Sequence, residues 1–352
     1  MSKICILGAG AIGGYIGAHF AANGIDVTLI DAWAEHVEAM RKSGITVEGI
    51  NGAGSVKTSV HALHISDVPQ LVKTDPFDIV FIAVKSYDTL WATQLILPYM
   101  APNGCIVSLQ NSINEDAIAS VAGWNRTLGC SLSTIASELV APGYIMRNSP
   151  LGDDTKIGLR VGEVHGRSTP RANEIARLLS CADSAKVTSN LWGERWSKLV
   201  INAMRNGVSA LSGMSGKERD NNAVARELSI CLGSSCVRVG QAMGLHLEPV
   251  GGFDLDLLGR AENDSAAMAA VSNFVIGLAN ARNDHQRPSM GQDIRKRRRT
   301  ETDSINGLVA RRGAELGIDV RLHDRVNKMV KRIEIGEIAP SPSLLNEIIL
   351  PA

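Results

Sequence analysis

The first half of the chain alternates short apolar blocks with helical ones. Lys3-Ile4-Cys5-Ile6-Leu7 is an apolar, β-branched run that reads as a buried strand. It breaks at Gly8-Ala9-Gly10-Ala11-Ile12-Gly13, and an Ala-rich helical stretch follows from Gly14 to Ala22. Asn23-Gly24 ends that helix, as glycine near a helix C-terminus should. A second strand, Asp26-Val27-Thr28-Leu29-Ile30, delivers Asp31. Trp33 to Lys42 reads as a helix and Ile45 to Gly49 as a short strand. Asp78 to Val84 is the next buried strand, ending in Lys85-Ser86. A helix through Leu90 to Tyr99 leads to the strand Gly104 to Leu109, ending in Gln110-Asn111. Gly129 to Ile135 and Lys156 to Val161 add further strands. Such alternation predicts a doubly wound, largely parallel sheet covered on both faces.

Near Lys186-Val187-Thr188 the alternation stops, and the pattern turns helical from an N-cap at Ser189 or Asn190. Leu191, Trp192, Arg195, Leu199, Asn202 and Asn206 lie along one long helix. Ala223 to Met243, Asp264 to Asn280 and Gly291 to Leu316 follow as further helices. The expected organisation is an α/β domain over 1–188 and an all-α domain with a C-terminal extension over 189–352. With no Pro/Ser-rich linker, the two are expected to pack with a cleft between them.

The order of strand, G-x-G-x-x-G turn, helix, second strand and acid is the Rossmann-type dinucleotide fingerprint. Its glycines serve a tight turn, a close approach of backbone to a pyrophosphate, and tight helix–strand packing. Free N–H groups at the helix N-terminus would take the phosphate charge, and Asp31 the adenosine ribose. Ligands of such sheets bind beyond the carboxyl ends of strands, where Gly8, Asp31, Lys85 and Asn111 all fall.

Length and composition agree. A chain of 352 residues suggests two domains, at about 100–200 residues each. Hydrophobic content of 45% is that of an ordinary globular protein. Thirty-six basic residues balance thirty-six acidic ones, so no global field favours nucleic acid or a membrane surface. No apolar span reaches the roughly 20 residues of a bilayer crossing. Lys3 to Ala22 has no basic leader and is better explained by the nucleotide turn than by a signal peptide, so a cytoplasmic chain is expected. Six cysteines show neither metal-ligand spacing nor a disulfide framework and read as reduced thiols.

Lys198, Asn202 and Asn206 fall at steps of four and share one face of their helix. Taken alone, that stripe is either a solvated face, with Glu194 pairing to Lys198, or the wall of a polar substrate site. Other motifs join it in order. They are Leu109-Gln110-Asn111, Trp196-Ser197-Lys198-Leu199 with Asn202 and Asn206, Ser289-Met290 with Gln292-Asp293-Ile294, and Thr300-Glu301 with Asp303, Ile305-Asn306-Gly307. With the glycine turn they resemble the ketopantoate reductase family (the 2-dehydropantoate 2-reductases), over the chain from its start to about Gly317.

That resemblance implies a Rossmann domain joined to an all-helical one, and reduction of a 2-keto acid by a nicotinamide cofactor. By position it makes Lys198 the general acid that protonates the carbonyl oxygen. Glu301 would orient that lysine and reach the nicotinamide ribose. Asn202, Asn206 and Ser289 would hold the substrate's hydroxyl and carboxylate, with Asn111 at the cofactor end. Burial would lower the lysine's pKa and Glu301 would raise it. Glu301 alone also reads as a first-turn helix carboxylate, and Ser289 as a helix cap.

The chain departs from the family in three places. Where NADPH-using members commonly carry a basic residue, it has Asp31-Ala32-Trp33. An acid there bonds ribose hydroxyls and repels a 2′-phosphate, so NAD(H) is expected over NADP(H), with Lys85 the one nearby cation against it. Ser112 follows Asn111 where the family often has glycine. Gly251 to Asn263 and Glu334 to Ala352 look like additions, the first able to line or lid the substrate cleft, the second to pack on its own domain or across a homodimer. The run Arg295-Lys296-Arg297-Arg298-Arg299 reads as a solvated helix face rather than a nucleic-acid patch. His285 and Arg287, just before Ser289, are candidates to read a carboxylate or are surface residues.

The expected activity is hydride transfer between a nicotinamide and a small 2-keto/2-hydroxy acid pair, such as ketopantoate/pantoate. The alternative is an NAD-dependent dehydrogenase oxidising another secondary alcohol or hydroxy acid in catabolism. A nucleotide sensor that had lost its chemistry would be expected to lose Lys198 or Glu301, and both are present. A β-hydroxyacid dehydrogenase of the 6-phosphogluconate type would carry its lysine in a Gly-rich helix, unlike Trp196 to Asn206.

Overall fold

The computed structural model describes residues 2–133, 135–280 and 287–349. The chain divides into two compact units, Met1–Leu191 and Trp192–Ala352.

The first unit holds twelve strands: β1 Ile4–Leu7, β2 Val27–Asp31, β3 Ile45–Glu48, β4 Val56–Thr58, β5 His61–His64, β6 Phe77–Ile82, β7 Met100–Ser108, β8 Thr127–Leu132, β9 Ser137–Ala141, β10 Tyr144–Arg147, β11 Leu159–Glu163 and β12 Ala185–Val187. Eight of them form the main sheet in the order β12-β11-β8-β7-β6-β1-β2-β5. Every neighbouring pair is parallel except β8 with β11. The chain runs outward from β1 to β2 on one side and returns through β6 on the other, so the strand order reverses beside β1. That reversal is where open α/β sheets bind ligands.

The sheet is buried on both faces because successive side chains point to opposite sides. Ile4 and Ile6 join one core, under helices α1 (Ala11–Ala22), α2 (Ala34–Ser43) and α5 (Pro170–Leu179). Cys5 and Leu7 join the other, under α3 (Thr89–Ile96) and α4 (Glu115–Ala122). Burying each such aliphatic side chain stabilises by about 1.5–3 kcal/mol, so the alternation pins the register of β1.

A second sheet, β4-β3-β10-β9, lies beside α1; of its strands only β3 was expected from the sequence. Its strands are short and part-exposed, without the strong apolar runs of the main sheet. Arg147 at the end of β10 is fully buried, donating to Asp183 Oδ2 at 2.5 Å and to Tyr15 Oη at 2.6 Å. This ties the second sheet to α1 and to the turn before β12.

The second unit is helical: α6 Leu191–Ser212, α7 Gly216–Asn221, α8 Ala223–Ala242, α9 Leu255–Arg260, α10 Ser265–Asn280, α11 Ser289–Arg295, α12 Asn306–Glu315, α13 Arg321–Glu334 and α14 Leu344–Ile349. Trp196 of α6 is fully buried and donates its indole N–H to the Cys236 carbonyl of α8 at 2.9 Å. Asn306 donates to the Ala203 carbonyl of α6, and its side chain meets His323 of α13, which in turn reaches the Leu232 carbonyl of α8.

Several expectations change here. The helix read over Gly291 to Leu316 is broken: α11 ends at Arg295, a single 3-10 turn covers Thr302–Ser304, and α12 starts at Asn306. Hence the basic run is not a helix face; only Arg295 is helical, all five residues are exposed, and Arg297 turns left-handed at φ 51°. Cations at i and i+4, such as Arg295 and Arg299, repel on a helix, which favours the break. The Gly251–Asn263 segment contains α9, packed on α8 and α10. In the tail, α14 packs on α8 and α13 with Leu344, Leu345 and Ile348 buried, so its apolar side is covered within its own unit. All six cysteines are free thiols. No helix among the described residues is long and apolar enough to cross a membrane.

Candidate functional site

In the first unit the fingerprint residues gather at the carboxyl ends of β1, β2, β6 and β7. Gly8 follows β1 at φ 98°, and a Cβ there would lie 2.6 Å from the Val84 nitrogen. Only glycine combines that conformation with so close a backbone. A Cβ on Gly13 would meet the Gly8 carbonyl at 1.9 Å, whereas one on Gly10 would meet nothing within 4 Å. The turn is thus closed toward the sheet and open at Gly10, which caps α1 without any side chain. Ala9 is buried, with its carbonyl held by His36 Nε2 at 2.9 Å, and Ala11 and Ile12 open α1 half-buried. The first N–H groups of a helix lack intrahelical partners and carry its positive dipole end.

Asp31 ends β2, half-buried, with Oδ1 accepting the Trp33 N–H at 2.9 Å. Lys85 is half-buried in the loop after β6. Asn111 sits beyond β7, its carbonyl accepting from Asn114 Nδ2 at 2.7 Å and from Ser86 Oγ at 3.3 Å. Ser112 is buried in the left-handed region at φ 66°, a conformation that suits the glycine common in the family. Gln110 and Asn114 were not singled out from sequence as site residues. Gln110 Nε2 donates to the Val84 carbonyl at 2.9 Å and to Thr89 Oγ1 at 2.7 Å, fixing the β7 loop against the β6 loop. The polar residues flanking Asn111 were the only available signal.

In the second unit the stripe on α6 is not a solvated face. Asn202 is 9% exposed, Asn206 4%, and Lys198 is half-buried. The Lys198 ammonium forms no hydrogen bond or ion pair with any described residue, including Glu194, which is itself buried. Burial, with the like charge of Arg205 as a second cause, pushes the Lys198 ammonium down from 10.5 to about 8. Burial therefore prevails over any opposing carboxylate. Asn206 Nδ2 is buried without a hydrogen-bond partner among the described residues. An unpaired buried donor costs about 1–3 kcal/mol, which a fold tolerates best where a ligand supplies the acceptor.

Glu301 is buried and precedes the 3-10 turn, its carbonyl accepting from Ser304 and Ile305 at 3.0 Å. It is not the first-turn carboxylate of an exposed helix. Ser289 is the first residue of α11, half-buried, and Pro288 occupies the cap, so Ser289 is not the helix cap its sequence suggested. Arg287 donates to the Gly213 carbonyl after α6. His285 lies outside the described residues.

Comparison with known proteins gives two family matches. The ketopantoate reductase PanE/ApbA model matches residues 4–161, and the ketopantoate reductase PanE/ApbA C-terminal model matches 190–334. A 2-dehydropantoate 2-reductase of Archaeoglobus fulgidus is 27% identical over 96% of this chain and 99% of that one. A PanE/ApbA family ketopantoate reductase from Ralstonia eutropha superposes with TM-score 0.76 at 26% identity, over 95% of this chain and 99% of that one. D-mandelate dehydrogenase, solved with NADH and anilino(oxo)acetate, shares the fold with TM-score 0.78 at 22% identity, over 95% and 99% of the two chains.

Proposed function

The chain belongs to the ketopantoate reductase family, and from that premise we propose that it interconverts a 2-keto acid and its 2-hydroxy acid with a nicotinamide cofactor, NAD(H) in preference to NADP(H). It is an oxidoreductase acting on a CH–OH group. The observation that carries the reading is the α6 stripe. A lysine held at about 8 can both give and take a proton near neutrality, and a buried unpaired amide stands two turns away on the same face.

The first unit suits a dinucleotide. Gly10 leaves its approach open, Gly8 and Gly13 close the turn behind it, and the N-terminal N–H groups of α1 would hold the pyrophosphate. Asp31 would bond the ribose hydroxyls and repel a 2′-phosphate, which is the basis of the NAD(H) preference. Lys85 and Asn111 would stand at the cofactor's other contacts. A bound nicotinamide supplies or accepts the hydride.

This chain's residues do the rest. Lys198 gives its proton to the carbonyl oxygen in reduction and takes it back in oxidation. Asn202, Asn206 and Ser289 hold the substrate's hydroxyl and carboxylate, and Glu301 orients the lysine. The test is a panel of 2-keto and 2-hydroxy acids, including ketopantoate, pantoate and mandelate, assayed by NADH and NADPH absorbance. Turnover of at least one pair with NAD(H) favoured is expected. Failure of every pair with both cofactors would overturn the proposal, and turnover with NADPH favoured would overturn the cofactor preference.

A further inference from the structure

The α6 face carries a second row beside the lysine and the two amides. Ile201 and Arg205 fall three and seven residues after Lys198, on the same side of the helix. The Gly251–Asn263 segment lands on this row. A Cβ on Gly251 would touch Ile201 Cδ1 at 3.7 Å, and Phe253, only 5% exposed, lies beneath the Arg205 guanidinium with 5.4 Å from Cζ to the ring centroid. Phe253 is itself braced by Phe274 of α10, edge to face at 4.9 Å. A guanidinium seated on an aromatic face is fixed in orientation while its N–H edge stays directed outward from the ring axis.

On these grounds we propose that Arg205, seated on Phe253, is the residue that grips the carboxylate of the 2-keto acid and makes the site selective for acids over neutral ketones. The inference rests on the reaction proposed above. Three features favour it. Arg205 stands two turns after Lys198 on the same side of α6, and long helical side chains lean back toward the helix N-terminus. Its planar fork matches a carboxylate with two parallel hydrogen bonds, which neither an asparagine nor a serine can offer. Its charge is also the second cause of the lowered lysine pKa, so the two cations share one electrostatic neighbourhood. A carboxylate bound there offsets that repulsion at the moment the lysine must hold a proton. Asn202, Asn206 and Ser289 are then left for the substrate's hydroxyl and the carboxylate's remaining lone pairs, with the buried Asn206 Nδ2 a donor still without a partner among the described residues.

The experiment compares kcat/KM for a turned-over 2-keto acid and for its uncharged primary amide, in wild type, Arg205→Met and Arg205→Lys. Wild type is expected to favour the acid by about a hundredfold, as a charge-assisted bidentate pair implies. In Arg205→Met that preference should fall below about tenfold, with KM for the acid rising more than kcat falls; Arg205→Lys should recover part of it. A merely structural role would depress acid and amide alike. An unchanged acid-to-amide ratio in a folded Arg205→Met or Arg205→Lys protein overturns the inference and leaves the proposed reaction standing. Phe253→Leu, which keeps the apolar contact and removes the ring, should weaken the preference in the same direction; an unchanged ratio there would overturn the role of the seat. Absence of turnover with any keto acid in wild type overturns the proposed reaction and this inference with it.

Discussion

The pH dependence of turnover is where the lysine can be tested most directly. Lys198 is held at about 8 instead of 10.5, a shift that favours its neutral form by ~3 kcal/mol. At pH 7 about nine-tenths of the sites carry the proton, and at pH 9 about one-tenth. Reduction needs the protonated amine, so kcat/KM for the keto acid should be flat below pH 8 and fall about tenfold per unit above it. Oxidation needs the neutral amine, so the hydroxy-acid direction should rise to a plateau above pH 8. An unperturbed lysine would place both breaks near 10.4. Initial rates from NADH absorbance between pH 6 and 10 at constant ionic strength give both profiles. Lys198→Ala should remove the break and lower turnover at neutral pH by about 10²–10⁴, while NADH affinity, read by fluorescence, stays nearly unchanged. A break near pH 10, or a parallel loss of cofactor affinity in Lys198→Ala, would refute the assignment.

Three further outcomes follow from named side chains. Asp31→Arg should move the NADP(H)-to-NAD(H) efficiency ratio upward by about tenfold to a hundredfold, because an anion-repelling group becomes an anion-binding one; a static ratio of kcat/KM values would show that Asp31 does not read the ribose. Ser112→Gly relieves a left-handed serine at φ 66°, and should raise Tm by about 1–3 °C in a thermal scan, the relief exceeding the added chain entropy. Buried His323 is held down at about 4, so the unfolded chain binds a proton between about pH 6.5 and 4 that the folded one does not. Stability should therefore fall as pH drops through that window, by ~3 kcal/mol at its acid end, and His323→Gln should flatten that part of the urea-denaturation profile.

Much of this protein was legible in its linear pattern. The strand–glycine–helix–strand–acid series at Ile4 to Asp31 is local, and each step follows from steric or hydrogen-bonding limits on a few neighbouring residues. The end of α1 at Asn23-Gly24, the span of α8 and the start of α6 were equally local, set by caps and apolar spacing. The one long helix drawn over Gly291 to Leu316 failed because a helical spacing cannot register where repelling cations and a left-handed Arg297 interrupt the backbone. Of the second sheet only β3 was legible, because the other strands are stabilised by partners far away in sequence, such as Tyr144 beside Thr46 and Arg147 beside Asp183.

The sequence by itself determined the fold class, the glycine turn after β1 and the face of α6 on which lysine and amides align, since each depends on spacing along the chain. Only tertiary structure decided the burial and surroundings of those groups. Whether Lys198 is fully solvated or half-buried, whether Asn206 finds a partner, and that Phe253 lies under Arg205 all depend on segments that converge after folding. Desolvation and like-charge repulsion act through space, so no reading of neighbours along the chain could supply them.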